Sequence, residues 1–492
     1  MTLDAALTWD NLPSQTDTLI LGGGMAGLEV ARHLDAAGTD AVVLEAGPAQ
    51  DLRHTNAVND PQAADEIWTD ALSDPYFTRP WHSTTEPHFG PDAGLRRRLG
   101  GRSLYWHGVI LEIEHWALRE PWWPQTIIDD LTKSWRGGPP LYDVTRTQLQ
   151  EWAGTQTQPA PLHLEDWQMA SPPRAAQPVQ ASTDRWRAYS PLAHWTEGTP
   201  RGTVRIAPDV SVLGVEIEDG RAVGARIAHT ETGVTRVIKA PKVVLAAGAV
   251  ESTRLAIQAL SQTGGLPRPA LPNLVDHIVQ GFRVSLPASG LPAEHFFCCT
   301  PAAEDSRSNL FIEGTPTADG KINIEVWITG EQMPSTAGEV SCTPRREVPW
   351  QVAVRAGLSP QDNHTIIAQQ RELQRFWDSL CVRVGRPPCS LEFEPDFEFP
   401  TRTFRIVRAK LATGKWPTEP VTWSCPLGTE DHEGSTLPLG SVLNVRHEFA
   451  ELPSLYAAGP ATFPRQGAAN PSLTSLALAR RLADLLAAQP AK

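Results

Sequence analysis

Apolar residues along this chain come in short runs broken by glycine and proline, and the runs change period from one region to the next. The first is "TLIL" at 18–21. A glycine turn follows, then a segment with helical spacing of apolar positions to Leu34, then Gly38 and a second apolar run at 41–44. This order predicts a βαβ opening. Residues 50–95 are polar and dotted with proline, with no sustained period, and 153–202 are rich in Pro, Gln, Thr and Ala, which predicts an excursion over the surface. From Thr203 short strands are predicted at "TVRIA", "VLGVEIE" and "AVGARIA", the last two joined by Asp219-Gly220 as a hairpin turn. A wholly apolar "VVLAAG" at 243–248 reads as a buried strand leading into a helix that reaches Leu260. Between 281 and 420 the period becomes two, as in "KINIEVWI" (321–328) and "TFRIVRA" (403–409), which predicts an antiparallel sheet with one polar face. From Pro471 the spacing of Leu473, Leu476, Leu482 and Leu486 predicts a final helix with one apolar face.

Composition narrows the class. A chain of 492 residues with 41% hydrophobic and 20% charged positions has material for two or three packed lobes. Its net charge of −13 argues against a nucleic-acid partner, which needs a basic face. The tight basic run Arg96-Arg97-Arg98 reads as solvated charge. No apolar stretch approaches the ~18 residues that would span a bilayer, and the first basic residue is Arg32, so neither a membrane span nor a secretory leader is expected. Six cysteines without CxxC spacing suggest neither a disulfide framework nor a zinc site, and the cytoplasm is the expected compartment. Eleven of the 17 tryptophans lie between Trp68 and Trp195; such a cluster reads as core, with a pocket lining as the alternative.

The first turn carries chemistry. Gly22-x-Gly24-x-x-Gly27 sits between strand and helix: the first glycine for the tight turn, the second for close approach of a pyrophosphate, the third for helix–strand packing. The helix start offers free N–H groups and a positive dipole end to that phosphate. Glu45, 18 positions after Gly27, stands where a ribose hydroxyl would be bound, which disfavours a 2′-phosphate and so NADP. The unit leaves NAD and FAD both open.

Further stretches follow in order: "LGGRSLYW", "LAAGAVEST", "NLVDH" (273–277), "CPLGT" (425–429) and "GAANPSLT" (467–474). Together with GGGMAG and LEAG they resemble the glucose–methanol–choline (GMC) oxidoreductases, most closely the branch of pyranose oxidases and bacterial glycoside oxidases. The resemblance covers about a third of the chain, all of it on the cofactor side. It implies an α/β fold: a Rossmann-like FAD-binding domain in three parts (1–120, 203–280 and 421–492), a segment at 121–202, and an α+β substrate domain at 281–420 built on an antiparallel sheet. FAD would lie over Gly22, Gly24, Gly27 and Glu45. Gly100, Gly101 and Ser103 would pass near the pyrophosphate and ring, and the Val210 backbone would meet the adenine. Met25, Ala26, Ala46, Ala247, Gly248, Gly459, Pro460, Asn470 and Pro471 would complete the cofactor side. Tyr105 stands where pyranose oxidases tether the flavin to histidine, which implies FAD bound without a covalent link.

Asn470 before Pro471 also has the makings of a helix cap, and the resemblance places it beside the substrate as well. The chain departs from the family at Cys425, where a histidine usually takes the hydroxyl proton as hydride leaves for the flavin. Three readings stand: a thiol filling the position as a small hydrophobe, a thiolate base, or another imidazole in its place. His107 is the first candidate for that imidazole; His432 reads as a surface residue and His277 as structural. The implied function is oxidation of a hydroxyl of a sugar, glycoside or related alcohol, with oxygen or another electron acceptor. The alternative is a flavoprotein that has lost its base and does something else or binds without turnover. No GxSxG elbow, Walker loop or metal-ligand spacing supports other chemistry, "DHE" at 431–433 included. Oligomeric state is not legible.

Overall fold

The computed structural model describes residues 6–57, 66–67, 70–85, 89–154, 160–179, 185–393, 407 and 416–488. In chain order the elements that position the site begin with β1 (Thr18–Leu21), α1 (Met25–Ala37) and β2 (Ala41–Leu44). Helices α2 (Gln125–Thr132) and α3 (Leu141–Ala153) follow, then β3 (Val204–Ala207), β4 (Val210–Glu218), β5 (Arg221–His229), β6 (Thr235–Lys239), β7 (Val243–Leu245) and α4 (Gly248–Gln262). The later elements are β8 (His277–Pro287), β9 (Phe296–Cys299), β10 (Ser308–Pro316), β11 (Lys321–Glu331), α5 (Pro360–Val384), β12 (Val421–Ser424), β13 (Leu452–Ala457) and α6 (Ser472–Ala487).

Two sheets organise the chain. The first runs β13-β7-β1-β2-β3, all parallel, with a two-residue antiparallel strand (Glu448–Phe449) at the β13 edge. Its strands are buried on both faces, which is why they read as continuous apolar runs. On one face Ile20, Val43 and Val244 pack with Leu28 and Leu34 of α1 and Leu482 and Leu486 of α6. On the other, Leu19, Val42 and Leu245 meet Val215, Ala225 and Ile227 of the antiparallel sheet β4-β5-β6, and Leu255 and Ile257 of α4. The β4–β5 hairpin turns on Asp219 (φ 49°) and Gly220 (φ 73°), both left-handed as a two-residue type I′ turn requires. From β1 the chain leaves to β2 on one side, while β7 lies on the other; a crevice opens at the strand ends where order reverses.

The second sheet, β9-β10-β11-β8-β12, is antiparallel throughout. One face is closed by α5: Phe282, Val284, Ile324, Val326 and Ile328 pack on Leu373, Phe376, Trp377 and Leu380. The expected strand at 321–328 is β11, alternating as read. "TFRIVRA" lies, apart from Val407, outside the described residues.

Four expectations need correction. The 25-residue α5 went unread, although Ser359 begins a capping box: its side chain accepts from Asp362 N (3.3 Å), and Asp362 Oδ2 accepts from Ser359 N (2.6 Å). Of the run Arg96–Arg98, only Arg97 is exposed as expected. Arg96 pairs with Asp74 (3.2 Å), and Arg98, 3% exposed, lies over Tyr76 and donates to the Tyr105 hydroxyl, because guanidinium planes stack well on aromatic faces. The 153–202 segment is not all surface: Ala175, Tyr189, Ser190 and Leu192 are buried, and Ser190 bonds Ser103. Asn470 does not cap α6; the cap position is Pro471, with no side-chain bond. Among the described residues no helix is long and apolar enough to cross a membrane.

Candidate active site

One cavity of about 910 Å³ runs from the crevice of the parallel sheet to the open face of the antiparallel one. At the crevice end the three glycines do different work. A Cβ on Gly22 (φ 118°) would stand 2.5 Å from the Ala246 carbonyl oxygen, and one on Gly27 would run into the Gly22 carbonyl. A Cβ on Gly24 would meet nothing within 4 Å, because that face opens on the cavity. The second glycine turn leans on the first: Gly100 N donates to Gly23 O (2.8 Å), and a Cβ on Gly101 would stand 3.4 Å from Gly24 Cα. Helix α1 starts here with no side-chain cap, so its first N–H groups face the cavity with the positive end of the dipole. A helix start of this kind can hold a phosphate group.

Glu45 lines the same end and accepts from Gly23 N (2.9 Å) and Gly47 N (2.7 Å). Burial outweighs these donors and pushes its carboxyl up to about 7. The fold thus favours the neutral acid, so this contribution to stability is present below the ordinary carboxylate range and is lost as pH rises through about 7. In the cofactor-free protein, unfolding free energy from urea titrations is expected to fall between pH 5 and 8. Glu45→Gln should flatten that slope, and an unchanged slope would place the proton uptake elsewhere.

The far end is built by the loops after β12 and β13 and by the start of α6. Asn470 lines the cavity, and its Oδ1 atom is buried without a hydrogen-bond partner among the described residues. Cys425 is 2% exposed beside Val279 and Trp423, and its amide donates to Val279 O (3.0 Å). Burial and the Glu430 carboxylate push its thiol well up, which opposes a thiolate. Glu430 is itself pushed up by burial, as is Asp276, whose carboxylate accepts from Gly428 N. Arg102 ties the second glycine turn to the 431–433 loop, donating to both oxygens of Glu433 and pairing with Asp431 (2.9 Å).

Between those carboxylates sits His432, the residue sequence reasoning passed over as surface. It is half-buried, lines the cavity, and places Nδ1 2.8 Å from His277 Nδ1; His277 Nε2 lies 3.0 Å from the Gly467 carbonyl. The Gly467 loop is fixed in turn by Glu331, which takes Gly467 N (3.1 Å) and both arms of Arg465 (2.6 and 2.7 Å), and by Glu114, which takes Ala468 N (2.9 Å).

The cavity wall opposite is the uncovered face of the antiparallel sheet. Phe297, Phe311 and Trp327 stack within 21° of parallel, with centroids 5.4–6.0 Å apart. Trp423 continues this row past Gly281, whose missing side chain makes room: a Cβ there would stand 2.5 Å from the indole. Glu313 and Glu325 flank the rings, Glu325 gripped by Arg283 (2.5 and 2.8 Å). The face expected to be polar is therefore an aromatic and acidic cavity wall. Of the described tryptophans in the 68–195 cluster, Trp106 alone lines the cavity; the others serve the core or surface.

Of the residues expected at the site, Gly22, Gly24, Met25, Ala26, Glu45, Ala46, Gly101, His107, Val210, Ala247, Gly248, Cys425, Gly459, Pro460, Asn470 and Pro471 all line this one cavity. Gly27, Gly100 and Ser103 stand behind the lining. Ser103 spends its hydroxyl on Gly100 O (2.6 Å) and Ser190 (2.6 Å), and the Val210 amide is donated to Glu45 O (2.9 Å). His107 lies 5.5 Å from the Trp186 ring. Among the described residues no group of three or more His, Cys, Asp or Glu could hold a metal ion.

A parallel dinucleotide-type sheet joined to an antiparallel sheet across a shared cavity defines a large two-sheet α/β architecture. Among solved structures the chain is similar to the crystal structure of pyridoxine 4-oxidase from Mesorbium loti, with a TM-score of 0.57 and 16% identity, over 95% of this chain and 98% of that one. At that identity the likeness is one of fold, and it runs end to end. No protein-family model and no curated protein matches the sequence.

Proposed function

We propose that the chain is an FAD-dependent oxidoreductase that oxidises a hydroxyl group of a sugar, glycoside or related alcohol. The observation that carries the reading is the single cavity joining an open glycine cradle at Gly24 to the buried, unpartnered Oδ1 of Asn470 and the aromatic wall. The residues fit the cofactor. The start of α1, Glu45 and the Gly101 turn would hold its nucleotide end; Ala247, Gly248, Gly459 and Pro460 would flank its length. Tyr105, its hydroxyl held by Arg98 (3.1 Å), supports non-covalent attachment. When bound, the isoalloxazine supplies a two-electron hydride acceptor. The chain's own residues do the rest. Asn470 and the uncapped start of α6 offer polar atoms and a positive dipole end where negative charge builds up. The ring row suits the flat face of a ring-shaped substrate, and Glu313 and Glu325 would accept from its hydroxyls.

The sequence motifs favour the pyranose and glycoside oxidase side of the GMC family. The fold likeness to a pyridoxine 4-oxidase supports an alcohol on a ring more broadly. Oxygen or another acceptor would reoxidise the flavin. The buried thiol of Cys425 favours a second reading, a flavoprotein whose alcohol chemistry has been lost.

The test is direct. Protein purified gently, or refilled with FAD, should be yellow, and an anaerobic panel of aldoses, aryl glycosides and pyridoxine should include a compound that bleaches it. Bleaching by none would favour the second reading, and failure to take up FAD would end both.

A further inference from the structure

We infer that His432 is the proton acceptor at the reacting end of the cavity, with its Nε2 lone pair fixed in place by a relay through His277 to the Gly467 carbonyl. This rests on the oxidoreductase reading above and names the group that does the acid–base work where Cys425 stands.

The hydrogen-bond directions leave one arrangement. A carbonyl oxygen only accepts, so His277 must carry its proton on Nε2, 3.0 Å from Gly467 O. His277 is 1% exposed, and burial holds its pKa down at about 4, so the ring is neutral and its Nδ1 is a bare acceptor. The 2.8 Å contact between the two Nδ1 atoms needs one proton, which therefore belongs to His432. Burial first, and then Arg102 and His107, hold the His432 pKa well down, so its Nε2 is left unprotonated in the cavity. Asp431 and Glu433 would favour the cation, but both are paired with Arg102; burial pushes the Cys425 thiol and the Glu430 carboxyl up. The ring is further held by its backbone: Gln466 Nε2 donates to His432 O (3.1 Å). The Cys425 thiol is pushed away from its basic form, and Asn470 has no basic atom.

The step balances. The carbinol O–H bond breaks and its proton forms an N–H bond at His432 Nε2. The carbinol C–H bond would break, its hydrogen and electron pair passing together to the two-electron acceptor that a bound flavin would supply, and the pair left on oxygen would close C=O. The substrate loses two electrons and the acceptor gains them. His277 reacts with nothing; it is a positioning residue.

Two measurements on the holoenzyme test this. Diethyl pyrocarbonate, which acylates neutral, accessible imidazole nitrogen, should label His432 near pH 7 and spare His277, as read by peptide mass mapping; an unlabelled His432 overturns the assignment. Anaerobic bleaching by whichever panel compound reduces the parent should slow by about 100-fold or more in His432→Gln with flavin content unchanged, the usual weight of a general base. In the parent the acid limb of that rate should lie below pH 6.5, since the base form persists below its ordinary value. His277→Leu should slow bleaching about 10-fold, because the acceptor that orients Nδ1–H is gone. His277→Gln, whose amide can both accept and donate, should restore most of the rate. A parent that bleaches while His432→Gln bleaches equally fast overturns this inference alone. A parent that no compound bleaches overturns the oxidoreductase reading and the step with it.

Discussion

Gly24→Val is expected to fold like the parent and to purify without flavin. The reasoning rests on the contrast among the three glycines of the first turn. At Gly22 and Gly27 a side chain collides with backbone, so a colourless variant there would say little beyond damage to the fold. At Gly24 an added Cβ meets nothing within 4 Å, and the backbone (φ −87°) is one that valine adopts freely. The new methyls would stand at the start of α1, where the proposed function puts the phosphates. FAD affinity should drop by at least about 100-fold, roughly 3 kcal/mol, while the melting temperature of the cofactor-free protein stays within about 2 °C of the parent. Equilibrium dialysis with FAD measures the first and thermal unfolding the second. A Gly24→Val protein that binds FAD normally would move the nucleotide away from this turn.

The second large effect concerns stability. Arg465→Met should cost about 3–5 kcal/mol, because it leaves the Glu331 carboxylate, 0% exposed, without the guanidinium that takes both its oxygens. Arg307 remains at 3.6 Å and cannot replace a two-armed grip. Urea unfolding should show the loss, and pairing the change with Glu331→Leu should recover much of it, since the buried charge is then gone as well. A single variant within about 1 kcal/mol of the parent would mean the carboxylate is protonated or hydrated in the native state.

The glycine-turn end of the cavity was legible in the sequence because its requirements are local. A turn, a close approach and a helix start are all written within six residues of Gly22, and the strands on either side are apolar without interruption. The hairpin at Asp219-Gly220 was legible for the same reason. The far end was not. His432 meets His277, 155 positions away, and through it Gly467, and no spacing rule reaches that far. Ser103 looked like a cofactor ligand from its place after the glycine pair, but a buried hydroxyl goes to the nearest acceptors, here Gly100 O and Ser190. The pairing of Asn470 with Pro471 suggested a cap, whereas the helix begins one residue later and leaves the amide oxygen pointing elsewhere. Helix α5 was hidden by a polar exterior face, although Ser359 and Asp362 announced its start.

Strand β11 carries Trp327 and Glu325 on the cavity wall and ends at Glu331, which grips the loop supplying the Gly467 carbonyl. On the proposed reading, recognition and proton handling would thus be mounted on one beam. Breeding the protein for new substrates through Trp327 or Glu325 would disturb the chemistry along with the fit. Phe297, a ring of the same row carried on the edge strand β9, offers a route by which preference could drift while β11 itself is left intact.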